Sequence, residues 1–295
     1  MRTNINTRLV REKVARIQHL LVRAQRVATS QQRVLPDFMI FGVTKSGSTA
    51  CHRYLRFHPN ILTPLIKEPN YFAFHYNQGR HNLAWYRAHF PLEAEMRKRE
   101  LMNGHPTQTF EASVSYIDVP YVSERIKKLM PNIKLIALLR NPIDRAYSHY
   151  HHNIRYGHDT LSSFEAALEH EDERLQKARN EFNGDTVYES LAHRRLNYLR
   201  RGLYAQQLKP WFETFPREQF LFLTTEDLYA NTAAHYEQII DFIEVPRFQP
   251  KEFKRYYSGS YEKMNPETRI RLIEHFRPHN QELYDLLRRN LNWDR

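Results

Sequence analysis

The sequence predicts an α/β fold, a P-loop-like three-layer sandwich in which a central parallel sheet is covered by helices on both faces. Two observations carry this prediction. Short apolar runs, above all residues 37–41 and 134–139, alternate with segments of helical periodicity. The first run feeds directly into Gly42-Val43-Thr44-Lys45-Ser46-Gly47-Ser48-Thr49 and then a helix. Strand, glycine loop and helix make a phosphate cradle, because loop amides and the helix N-terminus converge on an anion.

Taken in order, residues 1–35 hold many Arg and Gln, with Leu9, Val10, Val14, Ile17, Leu20, Leu21 and Val27 at roughly helical spacing. This predicts a basic amphipathic helical extension preceding a single domain over 36–295. Such a helix docks on the domain, pairs with a second copy to form a homo-oligomer, or touches an anionic membrane. Residues 37–41 are a buried strand, 50–57 a helix closed by Pro59, and 60–64 a short strand. The loop Lys67-Glu68-Pro69-Asn70-Tyr71-Phe72 follows, then a short helix over 85–90 and a strand over 107–112. A helix over 120–129 ends at Pro131-Asn132, and the second strongly apolar strand, 134–139, ends in Arg140-Asn141-Pro142. Proline suits the first helical position, where its missing N–H has no partner to lose, and the helix runs to about Arg155. Residues 161–177 predict a charged helix, 188–201 a basic segment of helical character, and 202–215 another helix. A strand over 220–224, a helix over 232–243 and a mainly helical stretch over 266–291 complete the chain.

The 295 residues make one large domain or two modest ones, and 41% apolar with 26% charged content is that of a soluble globular protein. The net charge of +11 calls for an anionic partner: a nucleotide, nucleic acid, acidic polysaccharide or membrane surface. No nucleic-acid-binding motif is present and the basic residues are spread rather than banded, so no nucleic-acid partner is expected. Cys51 is the single cysteine, which excludes an intrachain disulfide and fits a reducing compartment. No transmembrane segment or signal peptide is evident, and the expected location is cytoplasmic.

The loop departs from the ATP-binding pattern in an informative way. Gly42 and Gly47 have the expected spacing and Thr49 the place of the metal-binding hydroxyl, but Ser48 stands where lysine is required. The lysine is Lys45, inside the loop, where it meets a group nearer a 5′-phosphate. In open α/β sheets ligands bind at the carboxyl ends of the strands. Three groups fall there: the Lys45 loop, Arg140 with Ser148 eight residues on, and Glu68. Arg140 can fork onto a second phosphate and Ser148 can add a hydroxyl to it. Two phosphate sites without the ATP-type lysine point to a nucleotide phosphorylated at both ends. The plainer alternatives are a simple glycine turn, an Arg140–Asp144 surface pair and a Glu68–Lys67 surface pair. His149 and His152 could share a helix face, but no motif supplies further metal ligands, so no metal is expected. The basic run from His193 to Arg201 is either a solvated face or a receiver of an acidic acceptor.

These residues resemble the PAPS-dependent sulfotransferases, of the type that sulfates heparan sulfate and related glycans. Residues 42–49 are similar to that family's 5′-phosphosulfate loop, residues 138–148 to its 3′-phosphate motif, and residues 67–72 to the stretch carrying its catalytic glutamate. The likeness runs over about residues 36–294. It implies PAPS as donor, PAP as product, no metal, and a hydroxyl-bearing acceptor, most simply a glycan. It also implies catalytic roles for Glu68, as general base, and Lys45, at the departing phosphate. Lys45, Ser46, Gly47, Ser48 and Thr49 would bind the 5′ end of the donor, and Arg140 and Ser148 the 3′-phosphate. Lys263, in an imperfect version of the family's C-terminal cofactor loop, would add a further contact.

Two departures matter: Glu111-Ala112 stands where relatives have Glu-Lys, leaving Glu111 to work beside Glu68 at the acceptor, and neither a disulfide nor an anchor is seen, as in a soluble bacterial member. The rival readings are an ATP-dependent P-loop kinase and a non-catalytic polyanion-binding protein.

Overall fold

The computed structural model describes residues 22–183, 188–254 and 261–294. The first half of the domain runs β1 (Phe38–Gly42), α1 (Ser48–Leu55), β2 (Ile61–Leu62), α2 (Leu83–Arg87), α3 (Glu93–Asn103), β3 (Gln108–Ala112), α4 (Val122–Leu129) and β4 (Lys134–Leu139). The second half runs α5 (Pro142–Arg155), α6 (Phe164–Glu169), α7 (Glu171–Glu181), α8 (Leu191–Arg194), α9 (Tyr204–Thr214), β5 (Phe220–Thr224), α10 (Thr225–Ala230), α11 (Thr232–Ile243) and α12 (Pro266–Leu287).

Among the described residues five strands pair in the order β2-β3-β1-β4-β5, and every pairing between them is parallel. β1 is buried along its whole length, because helices cover both faces of the sheet. Its side chains alternate between the two cores. Phe38 and Ile40 meet Cys51, Tyr54 and Leu55 of α1 and Ile239 of α11. Met39 and Phe41 meet the other layer, with Ile126 of α4 and Leu208 and Trp211 of α9. Each such fully buried side chain contributes roughly 1.5–3 kcal/mol. A third cluster, Ile143, Ala146, Tyr150, Phe164, Tyr198 and Phe276, fixes α5 against α6 and α12.

Several elements differ from expectation for local reasons. The charged segment 161–177 is two helices broken at His170, because the buried Glu171 carboxylate accepts N–H bonds from Tyr198, Leu199 and Arg200 at 2.7, 2.8 and 3.1 Å. The segment 188–201 holds 3-10 backbone at residues 188–189, the short α8 and the start of a 3-10 turn, Arg200–Gly202. The last helix stops at Leu287, where Arg288 takes a left-handed conformation. α3 has no apolar stripe, since only Met96 on it is buried. Instead, Glu95 accepts from Leu92 N–H at 2.6 Å and Gly104 closes the far end.

Of the N-terminal extension, residues 22–28 are helical. The Arg26 guanidinium donates to the carbonyls of Ala88 and Phe90 at 2.5 and 2.8 Å, so this part docks on the domain. The remainder of the expected amphipathic helix, through Leu21, lies outside the described residues.

The end of β1 tolerates no side chain. A Cβ on Gly42 would sit 2.9–3.0 Å from three carbon atoms of Ile117. We expect Gly42→Ala to destabilise the domain by about 1–3 kcal/mol, read as a lowered urea midpoint with an unchanged m-value.

Candidate active site

The site lies where β1 and β4 end side by side. The chain leaves β1 toward β2 and leaves β4 toward β5, so a crevice opens between the two loops. The backbone after β1 turns sharply, with φ of 70° at Lys45 and 89° at Gly47. Glycine at position 47 accommodates that angle, and an added Cβ would also press on Leu228 at 3.3 Å. The turn is braced from within. Ser46 Oγ donates to Val43 O at 2.6 Å, and Thr225 Oγ1 lies 2.8 Å from Ser46 O and 2.9 Å from Leu139 O. Ser46 is therefore fully buried with its side chain inward, while Lys45, Gly47, Ser48 and Thr49 line the cleft.

Arg140 extends from the end of β4 and donates to Lys45 O at 3.0 Å, while its own carbonyl accepts from Tyr204 Oη at 2.8 Å. Asp144 pairs with Arg269 at 2.8 Å, so it is not the partner of Arg140 that the plain surface reading proposed. The following helix is capped by Asn141, whose Oδ1 accepts from Ile143 N–H at 3.0 Å. One face of α5 carries Ser148, His152 and Arg155 into the cleft at intervals of four and three residues. His149 points away, buried beside the Tyr198 ring.

Glu68 reaches the same cleft from the loop after β2. Its φ is 60°, an uncommon conformation for a non-glycine residue. The loop is held there by Glu68 N–H on Ala112 O at 3.1 Å and Asn70 N–H on Ser113 Oγ at 3.1 Å. The Glu68 carboxylate accepts from Lys67 Nζ at 2.6 Å, and the same ammonium donates to Thr49 Oγ1 at 3.1 Å. Lys67 thus joins the carboxylate loop to the glycine loop. The Glu68–Lys67 pair of the plainer reading is present, and it lies within the cleft rather than on an outer face.

The cleft has a volume of about 380 Å³. Among the described residues, seven Lys and Arg side chains line it, against one carboxylate, Glu68. Burial, then the cations Arg140, Arg155 and Lys67, hold the Lys45 ammonium down at about 8. Burial, with Lys45 and Arg195 beside it, takes His152 down to about 4, so its ring is neutral at physiological pH. Arg201 closes the back wall, paired with Asp118 at 2.6 Å.

Sequence reasoning overlooked Lys67 as more than a partner for Glu68, and it missed Arg155 altogether. The spacing of Arg155, seven residues beyond Ser148 on one helix, was the available signal. Arg194, Arg195 and Arg201 belong to the basic run and face the cleft rather than open solvent. Lys263 is exposed and does not line the cleft; Tyr261 does, its ring stacked on His151 at 4.3 Å. Residues 258–260 lie outside the described residues.

Glu111 requires a correction. It is fully buried and cannot stand beside Glu68 at an acceptor. Its carboxylate accepts from Tyr86 Oη at 2.5 Å and Ser113 Oγ at 2.6 Å. Ser113 in turn receives Asn70 N–H, and Tyr116 receives Phe72 N–H at 3.3 Å, so this network supports the Glu68 loop from beneath. Burial raises the Glu111 carboxyl above its usual range, against hydrogen bonds that stabilise its charge.

A parallel sheet with a glycine loop at its switch point and cation-bearing loops beside it defines a P-loop-like α/β protein with a basic cleft. Residues 35–268 match the sulfotransferase domain model, and the chain belongs to the sulfotransferase family. It is 30% identical to human heparan sulfate glucosamine 3-O-sulfotransferase 6, over 89% of this chain and 75% of that protein. It is 26% identical to a membrane-associated sulfotransferase of Dictyostelium discoideum, over 88% of this chain and 66% of that one. It is 29% identical to the human bifunctional heparan sulfate N-deacetylase/N-sulfotransferase 2, of which it spans only 30%. The crystal structure of a sulfotransferase from Alicyclobacillus acidocaldarius superposes with a TM-score of 0.67 at 29% identity, covering 89% of this chain and all of the other. Among the described residues no helix is long and apolar enough to cross a membrane.

Replacing Glu111 by Ala would leave two or three buried hydroxyls without their acceptor. We expect a loss of about 3 kcal/mol in a urea melt, together with faster amide exchange over residues 68–72.

Proposed function

We propose that the protein transfers a sulfuryl group from PAPS to a hydroxyl of a carbohydrate acceptor, with Glu68 as general base. The observation that carries this reading is the imbalance of the cleft, seven cationic side chains against the Glu68 carboxylate. A cleft so charged needs an anion with more than one charged end. The residues fit PAPS: the Lys45–Thr49 loop and the start of α1 suit a 5′-phosphosulfate, and Arg140 with Ser148 suits a 3′-phosphate. The glycan acceptor is supported by the heparan sulfate enzymes among the relatives.

In this mechanism Glu68 takes the proton of the acceptor hydroxyl as its oxygen forms a bond to sulfur. The bond from sulfur to the bridging oxygen breaks, and the electron pair leaves on the 5′-phosphate of PAP. Lys45 neutralises that developing charge. Lys67 touches both Glu68 and Thr49, and so keeps the base in register with the phosphate loop. Ser48 at the ATP-type lysine position removes the group a nucleoside triphosphate would need, which weighs against a kinase.

Calorimetric titration with PAP, set against ATP with magnesium, tests the donor. Tight PAP binding with little affinity for ATP is expected. Preference for ATP, or weak binding of both that salt abolishes, would overturn the reading. Glu68→Gln should retain PAP binding and lose transfer by roughly 10²–10⁴-fold; turnover like that of the wild type would remove Glu68 from the mechanism.

Lys45 sets a pH dependence. A bound phosphate favours its protonated form, so above about 8 each PAP that binds must bring a proton with it. PAP affinity should therefore fall by about tenfold per pH unit above that point. Calorimetry in buffers of different ionisation enthalpy reads the proton uptake directly, and Lys45→Met should abolish the slope.

A further inference from the structure

Thirteen large hydrophobic side chains are exposed among the described residues, and six of them gather around one cleft. This second cleft, of about 770 Å³, shares Lys67 with the Glu68 cleft. Leu65 and Met102 line it, at 45% and 71% exposure. Phe57, Ile66 and Leu101 each adjoin a lining residue in the chain, and Leu101 is 87% exposed. Val22 stands one turn before Arg26, which also lines the cleft. None of the six packs in the hydrophobic clusters of the fold. α3 buries only Met96, so folding gives no reason for Leu101 and Met102 at its end.

The same cleft is basic. Arg56 comes from α1, Lys98 and Arg99 from α3, and Arg26 from the docked N-terminal segment. Among the described residues, Arg56, Lys98 and Arg99 form no ion pair. The Arg26 guanidinium is held by the carbonyls of Ala88 and Phe90, which fix its position without cancelling its charge. Glu95 is the one carboxylate among the lining residues, and it is already engaged by the N–H of Leu92 at 2.6 Å. On α3, Lys98 and Met102 are four residues apart and share a face, so a cation and an apolar tip project together. The sequence ahead of Val22 has the same character: residues 1–21 hold five Lys and Arg against one Glu, with apolar residues at roughly helical spacing between them.

We infer that this face is a peripheral membrane-docking surface, which seats on an anionic bilayer with Leu65, Leu101 and Met102 in the interface and Arg56, Lys98 and Arg99 at lipid phosphates. One occupant has to meet both the cations and the exposed apolar tips. A soluble polyanion satisfies the cations and leaves the tips in water. A second copy of the chain brings like charge against like charge. Acidic headgroups above acyl chains supply both contacts at once. The chain outside the described residues joins the domain at this rim, and its basic, amphipathic sequence suits the same bilayer. Because Lys67 lines both clefts, docking holds the Glu68 cleft close to the membrane surface. The inference does not depend on the identity of the donor or the acceptor.

The test is co-sedimentation of the full chain with mixed phosphatidylglycerol–phosphatidylcholine vesicles, beside vesicles of phosphatidylcholine alone. Wild type is compared with Lys98→Glu/Arg99→Glu, with Leu101→Ser/Met102→Ser, and with the control Lys128→Glu/Arg271→Glu, whose side chains are exposed and line neither cleft. Wild type should bind the anionic vesicles and barely the neutral ones. The charge variant on α3 should lose about tenfold or more in partitioning, the apolar variant about threefold or more, and the control much less. An unchanged urea midpoint checks that each variant is folded. No binding of wild type to the anionic vesicles would overturn the inference, as would equal losses in the two charge variants. Wild-type-like binding by both α3 variants would assign the membrane contact to residues 1–21 alone and overturn the role of this face. Loss in the charge variant with none in the apolar one, or capture of a heparin octasaccharide in place of vesicles, would overturn it in favour of a soluble polyanion.

Discussion

The pairing of β1 with β4 is the constraint on which the site depends. The two strands lie in parallel register, Phe38 opposite Lys134 through Ile40 opposite Ile136, and the register then shifts at Gly42. After that shift Val43 N–H still bonds Leu138 O at 2.9 Å, so the loop begins against its neighbour strand. The same neighbour ends at Arg140, which reaches back to the Lys45 carbonyl. Two cation-bearing loops are thereby fixed at a short separation by sheet geometry, and no long connection has to hold them. Thr225, at the end of β5, ties both together through Ser46 and Leu139.

What the sheet assembles, electrostatics resists. Lys45, Lys67, Arg140 and Arg155 repel one another in a partly desolvated space, and the lowered Lys45 ammonium records its burial first and that repulsion second. The left-handed backbone at Glu68 is a further local cost, of order 1 kcal/mol. Both are tolerated because the surroundings are over-determined by hydrogen bonds. Glu111 organises Tyr86 and Ser113 beneath the Glu68 loop, Glu171 gathers the N–H groups ahead of Arg201, and Asp118 pairs with Arg201 behind the glycine loop. The buried carboxylates thus serve the architecture, while the Glu68 carboxylate stays accessible from the cleft.

Lys67 lines two clefts. Its ammonium bonds the carboxylate of one loop and the hydroxyl of another, and it faces the basic space beside α3. A single side chain therefore couples the position of the Glu68 carboxylate to the glycine loop.

Much of this was legible in the chain. Residues 37–41 and 134–139 are so apolar that only a doubly covered strand accommodates them. The glycine spacing with lysine displaced to position 45, the Arg140–Ser148 interval and the Glu68 loop each marked a strand end. Those signals are local, and local chemistry preserves them in sequence. α3 escaped because its order comes from capping rather than from an apolar stripe, and α10 because six residues carry no periodicity. Glu111 could not be assigned either, since a carboxylate in a strand reads the same whether it faces a ligand or the buried hydroxyls of Tyr86 and Ser113. The convergence of Arg155, Arg195 and Arg201, the inward turn of Ser46, and the second cleft between α1 and α3 were decided by tertiary structure alone. They depend on which faces of separate elements meet, and burial, which selects those faces, is a property of the folded chain.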